Sequence, residues 1–159
     1  MPLGFVFGLV VLVLARPTMS SVTVGGLVAL VGECLRVWAS GHLNKAREVT
    51  SSGPYRWLAH PLYVGSSIMG VGLAIASQRA IAGLIIAGYL LLTLTAAVRS
   101  EEAFLRRTFG DGYEQYRSGV IDAASRFQLS QALANSENRT VLGVLLVLVV
   151  LLMKALYGV

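Results

Sequence analysis

The stretch from Ser52 to Gly65 reads SGPYRWLAHPLYVG, and it leads from a polar connection into a long apolar run. Its opening Ser-Gly-Pro is typical of a turn. Proline suits the first turn of a helix and disfavours helical backbone in the residue before it, so His60-Pro61 predicts a helix that begins at Pro61. Backbone N–H groups at a helix start are unpaired and can hold an anionic group, so we expect His60 and Tyr63 to lie beside such a position.

The composition around this stretch is typical of a helical membrane protein. Of the 159 residues, 55% are hydrophobic and 13% are charged, against roughly 25% charged in a soluble domain. The net charge is +5, but Lys and Arg gather in the cytoplasmic loops of membrane proteins, so we expect no nucleic-acid partner. Cys34 is the single cysteine of the sequence, which excludes an intrachain disulfide and a cysteine-based metal site.

Five apolar runs predict an all-α integral membrane protein with about five transmembrane helices. Crossing a bilayer takes about 20 apolar residues, with about 17 as a lower limit, and the first run is shorter than that. A signal peptide is the competing interpretation of the first run, but no Lys or Arg precedes it. The five runs are Pro2–Ala15, Val22–Trp38, Pro61–Ser77, Ile81–Val98 and Thr140–Tyr157.

The connection between the third and fourth runs is only three residues long and contains Arg79. Two helices joined so tightly form an antiparallel hairpin. The two open ends of that hairpin are then neighbours in space. We therefore expect His60 to lie close to the segment from Arg99 to Glu102.

Basic residues predict the orientation in the membrane. Ten of the thirteen Lys and Arg residues fall in or beside the connections between spans two and three and between spans four and five. The other three are Arg16, Arg79 and Lys154. Because Lys and Arg favour the cytoplasmic side, we expect both large connections and the hairpin mouth to face the cytoplasm, at a bacterial or archaeal inner membrane.

Two charged residues, Glu33 and Arg36, lie inside the second run. They are three residues apart, so they share a helix face and can pair. Charges at this depth usually face a protein interior or a wet cavity. The alternative is an ion pair near the helix end that snorkels to the interface. Both interpretations stay open from the sequence.

The hairpin mouth holds the residues that could carry chemistry. Adjacent helical residues point about 100° apart, so Glu101 and Glu102 are expected to differ in function. Glu102 can pair with Arg106 four residues on, whereas Glu101 is the better candidate to face a pocket. Glu101 and His60 are candidate bases, and Arg99 is either a holder of an acidic or phosphate-bearing acceptor or an interfacial anchor. The mouth holds too few His and Asp groups for a convincing metal site.

Several motifs stand in a recognisable order: GPYR at 53–56, HPLYVG at 60–65, the apolar hairpin, EE at 101–102, and FGDGY at 109–113 with Tyr116. The set resembles the membrane-embedded methyltransferases, which include isoprenylcysteine carboxyl methyltransferases and phospholipid N-methyltransferases. The resemblance covers roughly Arg36 to Arg117. One departure is Ala59, which stands where the family commonly has an arginine immediately before His-Pro. Arg56 is the residue that would have to substitute for it.

The resemblance implies S-adenosylmethionine as the methyl donor, bound under a helical cytoplasmic cap that follows the fourth span. For this reaction the candidate catalytic residues are Glu101 and His60 as bases and Arg99 as a holder of the acceptor. Glu101 would accept the ammonium or a ribose hydroxyl of the cofactor, and His60 or Tyr63 would bond its adenosine or carboxylate. The residues that the resemblance places around the cofactor are Tyr55, His60, Pro61, Leu62, Tyr63, Gly65, Glu101 and Glu102.

On this interpretation, residues 1–159 form one domain. Its catalytic part is about 36–117, residues 118–138 are an interfacial segment with helical spacing, and 140–157 are an extra, lipid-facing span. The predicted activity is methyl transfer to a lipophilic acceptor: a phospholipid amine, a prenyl-type carboxylate or a small lipophile. Alternatives are an NADPH-dependent membrane reductase of the sterol-reductase type and a non-catalytic module that binds a lipid or partner. The acceptor and the oligomeric state stay open.

Overall fold

The computed structural model describes residues 2–43, 52–109, 126–135 and 137–158. Within these ranges the protein is all-helical and has no strand, which confirms the all-α part of the predicted fold class. A 3₁₀ turn at Gly53–Arg56 precedes the third α-helix. The α-helices are α1 (Pro2–Leu14), α2 (Met19–Ser40), α3 (Pro61–Ser77), α4 (Ala80–Phe109), α5 (Leu129–Ala134) and α6 (Glu137–Tyr157).

Three helices in the described part of the chain are long and apolar enough to cross a membrane. They are α2, α4 over Ala80–Phe104, and α6. The helix α3 is apolar but has 17 residues, and α1 has 13, so both are at or below the length that a bilayer requires. The membrane character is confirmed, and a count of five spans stays a prediction.

The helices α2 and α3 pack backbone to backbone. A Cβ atom added at Gly72 would lie 2.5 Å from the carbonyl oxygen of Gly25, and one added at Gly32 would lie 2.6 Å from that of Gly65. Side chains larger than hydrogen cannot enter this interface, because small residues are what allow two helix backbones to come so close. The position of α3 is therefore set by α2.

The helices α3 and α4 form the predicted hairpin. The helix α3 ends at Ser77, its C-terminal cap residue Gln78 adopts the left-handed conformation (φ 53°), and α4 begins at Ala80. The helix α4 then continues without a break to Phe109. The predicted span ended at Val98, but the sequence beyond it, RSEEAFLRR, is rich in good helix formers and extends the same helix. The acidic pair therefore lies on the last turns of the hairpin itself.

The last helix, α6, has one face toward lipid and one face toward the protein. Leu142 and Leu146 are exposed, as expected for a lipid-facing span, whereas Leu151 is buried in a core with α1, α2 and α3. The ammonium of Lys154 donates hydrogen bonds to the backbone oxygens of Leu12 (3.0 Å) and Val13 (3.4 Å) at the end of α1. The expectation of a purely lipid-facing span is wrong for this second face.

Candidate active site

The segment before α3 lies over the carboxyl end of α2. Gly53 has a φ of +58°, and a Cβ there would lie 2.7 Å from the imidazole of His42, so only glycine fits this turn. Pro54 and Tyr55 are buried behind it. The chain then enters α3 at Pro61, with His60 as the N-terminal cap residue. The turn and the proline together fix where the His60 side chain emerges.

His60 meets both glutamates of α4. The distance from His60 Nδ1 to Glu101 Oε2 is 3.7 Å, and that from His60 Nε2 to Glu102 Oε1 is 3.5 Å. The imidazole also stacks on the ring of Tyr63, with centroids 5.5 Å apart. The predicted proximity of the two hairpin ends is thus confirmed. Both acids approach the same imidazole through its two nitrogens, although only Glu101 was expected to face inward.

The partners of His60 change its protonation. Its pKa is raised above the ordinary value, mainly because the imidazole hydrogen-bonds the carboxylate of Glu101. Burial of the ring lowers the pKa, but the interactions with Glu101 and Glu102 together outweigh burial. The side chain of His60 is 18% exposed, and those of Glu101 and Glu102 are 37% and 33% exposed. The carboxylates are therefore open to a ligand while the imidazole is largely enclosed.

The other predicted site residues occupy different surroundings. Pro61 is fully buried, and the Leu62 carbonyl accepts a hydrogen bond from the Ser66 hydroxyl at 2.9 Å. Gly65 lies against α2, where a Cβ would be 2.7 Å from the Gly32 oxygen, so its observed contact is helix packing. Arg99 is exposed on α4.

Some predicted features lie outside the described residues. Gly110 to Tyr113 of the predicted motif, the neighbouring Tyr116 and the first part of the interfacial segment, 118–125, are among them. The side chain of Arg106, the expected partner of Glu102, is likewise not described. The predicted cap over the cofactor and its contacts stay predictions.

A polar cluster lies directly below the His60 turn, and we call it the Arg36 cluster (Glu33, Arg36, Ser66 and Glu137). The sequence predicted the pairing of Glu33 with Arg36, whereas Ser66 and Glu137 were missed. Arg36 Nη2 lies 3.1 Å from each carboxylate oxygen of Glu137. Arg36 also bonds the Ser66 hydroxyl, and its Nε lies 3.6 Å from Glu33. The snorkelling interpretation of Arg36 is wrong, because its side chain is 16% exposed and points between helices. Glu137 is 101 residues away in sequence, so spacing gave no signal for this pair.

Aromatic rings surround the carboxyl end of α2, at the same end of the molecule as the site. The ring of Trp38 lies 6.2 Å from that of Trp57 and 6.3 Å from that of His42, and His42 lies 5.8 Å from Phe127. Trp57 is exposed. Tryptophan favours the boundary between membrane and water. The rings therefore indicate that the His60 site lies near that boundary.

Two apolar spaces adjoin α3. A groove of about 350 Å³ lies between α3 and α4 and extends from Ser67 and Thr95 toward Ala74 and Gly83. A second cavity, of about 190 Å³, lies among α1, α3, α4 and α6. Within the described residues no group of three or more His, Cys, Asp or Glu side chains could hold a metal ion.

Comparisons with known proteins assign the chain to a family. The family model for phospholipid methyltransferase matches residues 20–112, which contain α2 except its first residue, α3, His60 and both glutamates. Protein-S-isoprenylcysteine O-methyltransferase of Schizosaccharomyces pombe is 34% identical over 77 residues, covering 48% of this chain and 33% of the relative. The nickel-cobalt-cadmium resistance protein NccN of Alcaligenes xylosoxydans xylosoxydans is 33% identical over 89 residues, covering 55% of this chain and 42% of the relative.

The chain thus spans less than half the length of either curated relative. No solved structure matches it. The family match nevertheless covers more than half of the chain, including the complete α3–α4 hairpin up to the acidic pair. The protein therefore belongs to the phospholipid methyltransferase family.

Proposed function

We propose that this protein transfers a methyl group from S-adenosylmethionine to a lipophilic acceptor at the membrane surface. The observation that carries the proposal is the meeting of His60 with Glu101 and Glu102 at the mouth of the hairpin. These residues come from segments about 40 positions apart, and all three lie inside the match to the methyltransferase family. Membership in that family supports a methyl-transfer reaction.

The side chains present fit the proposed cofactor. S-Adenosylmethionine has an ammonium, a sulfonium, a carboxylate and an adenosine. Glu101 and Glu102 are about one third exposed, so their carboxylates can accept hydrogen bonds from an ammonium or from ribose hydroxyls. The helix α3 begins beside them without a side-chain cap from His60, and the dipole at this helix start favours a carboxylate.

His60 acts in this scheme as an organiser of the two acids. Its raised pKa keeps the imidazole protonated over a wider pH range than an ordinary histidine. A protonated imidazole donates to Glu101 and Glu102 together and fixes the directions of both carboxylates. The same property makes Glu101 a better candidate base than His60 for an acceptor that must lose a proton, such as an amine.

Methyl transfer depends mainly on the alignment of the acceptor with the methyl group of the cofactor. Bound S-adenosylmethionine supplies a methyl group that is already electrophilic. The protein then has to hold the acceptor in line with that methyl group and shape the electrostatic surroundings, which are its principal means of accelerating the reaction. A carboxylate acceptor would lose no proton in the reaction, whereas an amine or thiol acceptor would.

The acceptor we propose has a long hydrocarbon part. The apolar groove between α3 and α4 leads from the half of the hairpin near the site toward its closed turn. The names of the family and of one relative refer to a phospholipid and to an isoprenylcysteine, and both kinds of molecule carry a long hydrocarbon part. A chain in the groove would leave the reactive head of the acceptor near His60 and Glu101.

The direct test is transfer of labelled methyl from S-adenosylmethionine into a total lipid extract by the purified protein. We expect label in a lipid product, and loss of it in a variant with both His60→Ala and Glu101→Ala. Arg79→Ala, an exposed change at the opposite end of the hairpin, is the matched control and should keep the activity. No label with the unaltered protein, together with binding of NADPH or of neither cofactor, would overturn the proposal.

A further inference from the structure

The guanidinium of Arg36 connects three helices immediately below the proposed site. From α2 it reaches α3, where Nη1 contacts the Leu62 carbonyl at 3.5 Å and bonds the Ser66 hydroxyl. It also reaches α6, where Nη2 bonds both oxygens of Glu137 at 3.1 Å. Leu62 lies between His60 and Tyr63 in sequence. Arg36 therefore holds the very turn that carries the imidazole.

The path of the Arg36 side chain depends on a missing side chain in α3. A Cβ at Gly65 would lie 2.7 Å from Arg36 Cγ and 3.3 Å from the Arg36 backbone nitrogen. The hydrogen of glycine leaves room for the arginine to pass between the two helices. Close helix packing and the Arg36 cluster are therefore parts of one arrangement.

Burying the charges of the Arg36 cluster costs free energy unless each charge has a partner, and the two glutamates contact Arg36 differently. Glu33 and Glu137 are both buried, and a buried charge without a partner is strongly destabilising. Both carboxylate oxygens of Glu137 accept hydrogen bonds from Nη2 of Arg36. Glu33 instead lies 3.6 Å from Nε of Arg36. Glu137 thus sets the direction of the guanidinium. Its position at the start of α6 lies beyond residues 20–112, the part that matches the family.

We propose that Arg36 is a positioning residue for the His60 turn, and that Glu137 of the last helix holds Arg36 in the orientation that this requires. The last helix thereby becomes part of the machinery that shapes the site. The consequence for cofactor affinity rests on the proposed function, whereas the consequence for His60 itself does not.

Glu137→Gln and Ser66→Ala are the two variants that test this. The first keeps the volume of the side chain and removes its charge, and the second removes only the hydroxyl that receives Arg36. Lys154→Met is the matched control, because it releases the other end of α6 from α1 without touching the Arg36 cluster. Thermal unfolding in detergent shows whether each variant is folded.

The first readout is the pKa of His60, measured by a pH titration that nuclear magnetic resonance monitors after selective labelling of histidine. The sequence contains two histidines, so His42 provides an internal reference. The charged and titratable groups that face His60 in the described structure are Glu101, Glu102 and Tyr63. We expect Glu137→Gln to bring the pKa of His60 down toward its ordinary value, about 6.5, with a smaller change of the same sign in Ser66→Ala.

The second readout is the dissociation constant of S-adenosylhomocysteine, measured by calorimetry. We expect Glu137→Gln to raise it about tenfold, since mutations that act on a site through intermediate residues change its affinity by roughly 2- to 30-fold, and Lys154→Met to leave it unchanged. An unchanged His60 titration in both folded variants would overturn the inference, as would an equal change in Lys154→Met. If Glu137→Gln does not fold, Ser66→Ala alone decides. Failure of the unaltered protein to bind would instead refute the proposed function, since the His60 titration would still report on positioning.

Discussion

The two sides of α3 are packed in opposite ways. Toward α2 the interface has no room for a single methyl group, since a Cβ at Gly72 would meet backbone atoms of Gly25 and Ala29. Toward α4 the contacts are made by side chains, and an apolar groove of about 350 Å³ remains open. A Cβ at Gly83, on the α4 side, would lie 3.6 Å from the Cβ of Ala74, an ordinary contact. The side of α3 toward α2 thus serves as a fixed support, and the side toward α4 leaves space for a ligand.

The polar contacts on the two sides of α3 also differ at the end of the molecule where the site lies. On the tight side, Arg36 continues the α2–α3 contact up to the Leu62 carbonyl. On the open side, His60 meets Glu101 and Glu102 across the mouth of the hairpin. The support therefore reaches the site through one arginine, and the open interface ends in groups that can bind a ligand.

The largest expected effect is the loss of stability when one methyl group is added to the interface between α2 and α3, compared with the same addition to the interface between α3 and α4. Gly72→Ala places a carbon 2.5 Å from the Gly25 carbonyl oxygen and 2.8 Å from Ala29 Cα, so the backbones of α2 and α3 must separate. We expect a loss of about 3 kcal/mol, the upper end of typical overpacking effects. Gly83→Ala is the matched control and should be neutral or stabilising, since alanine is the better helix former. Thermal unfolding in detergent micelles measures both.

Equal stability of Gly72→Ala and Gly83→Ala would contradict the contrast between the two interfaces. Destabilisation by Gly83→Ala alone would reverse it. In either case, α2 could not be the support that positions α3.

The sequence predicts the hairpin well because its signals are local. Pro61 marks the start of α3, and α3 has the bounds that the apolar run gave, Pro61–Ser77. The proximity of His60 to Glu101 then follows from two helices of similar length and a short turn. Gly65 and Gly72 both pack against α2, and their spacing in the sequence does not indicate which helix they face.

The remaining features depend on partners that are distant in sequence. The pairing of Arg36 with Glu137 joins residues 101 positions apart, and no periodicity connects them. Lys154 likewise caps α1 across more than 140 residues. Sequence periodicity describes one helix at a time. Whether a side chain contacts lipid or a neighbouring helix is therefore known only when the packing of the helices is known.

A smaller effect is expected from pH, and it concerns the open side of α3. Because the pKa of His60 is raised by Glu101 and Glu102 in the folded protein, its interaction with them stabilises the fold fully below its unfolded pKa, about 6.5. This stabilisation is lost as the pH rises through the raised folded pKa. We expect the melting temperature of the unaltered protein to decrease as the pH increases above about 6.5, through the folded-state pKa of His60.

The variant His60→Gln is the control for this pH effect, since glutamine has the same neighbours but does not titrate. Its melting temperature should lack the decrease assigned to His60. An identical pH profile in the variant and the unaltered protein would mean that the decrease arises elsewhere, and that the contacts of His60 with the acids contribute nothing measurable.

The most direct measurement of a shared ligand site is a double-mutant cycle on the binding of S-adenosylhomocysteine, with His60→Gln, Glu101→Gln and the combined variant. If both side chains act on one ligand, each single change weakens binding, and the combined loss differs from the sum of the two by about 0.5 kcal/mol or more. Two additive losses, or binding that neither change affects, would contradict a site built from the two ends of the hairpin.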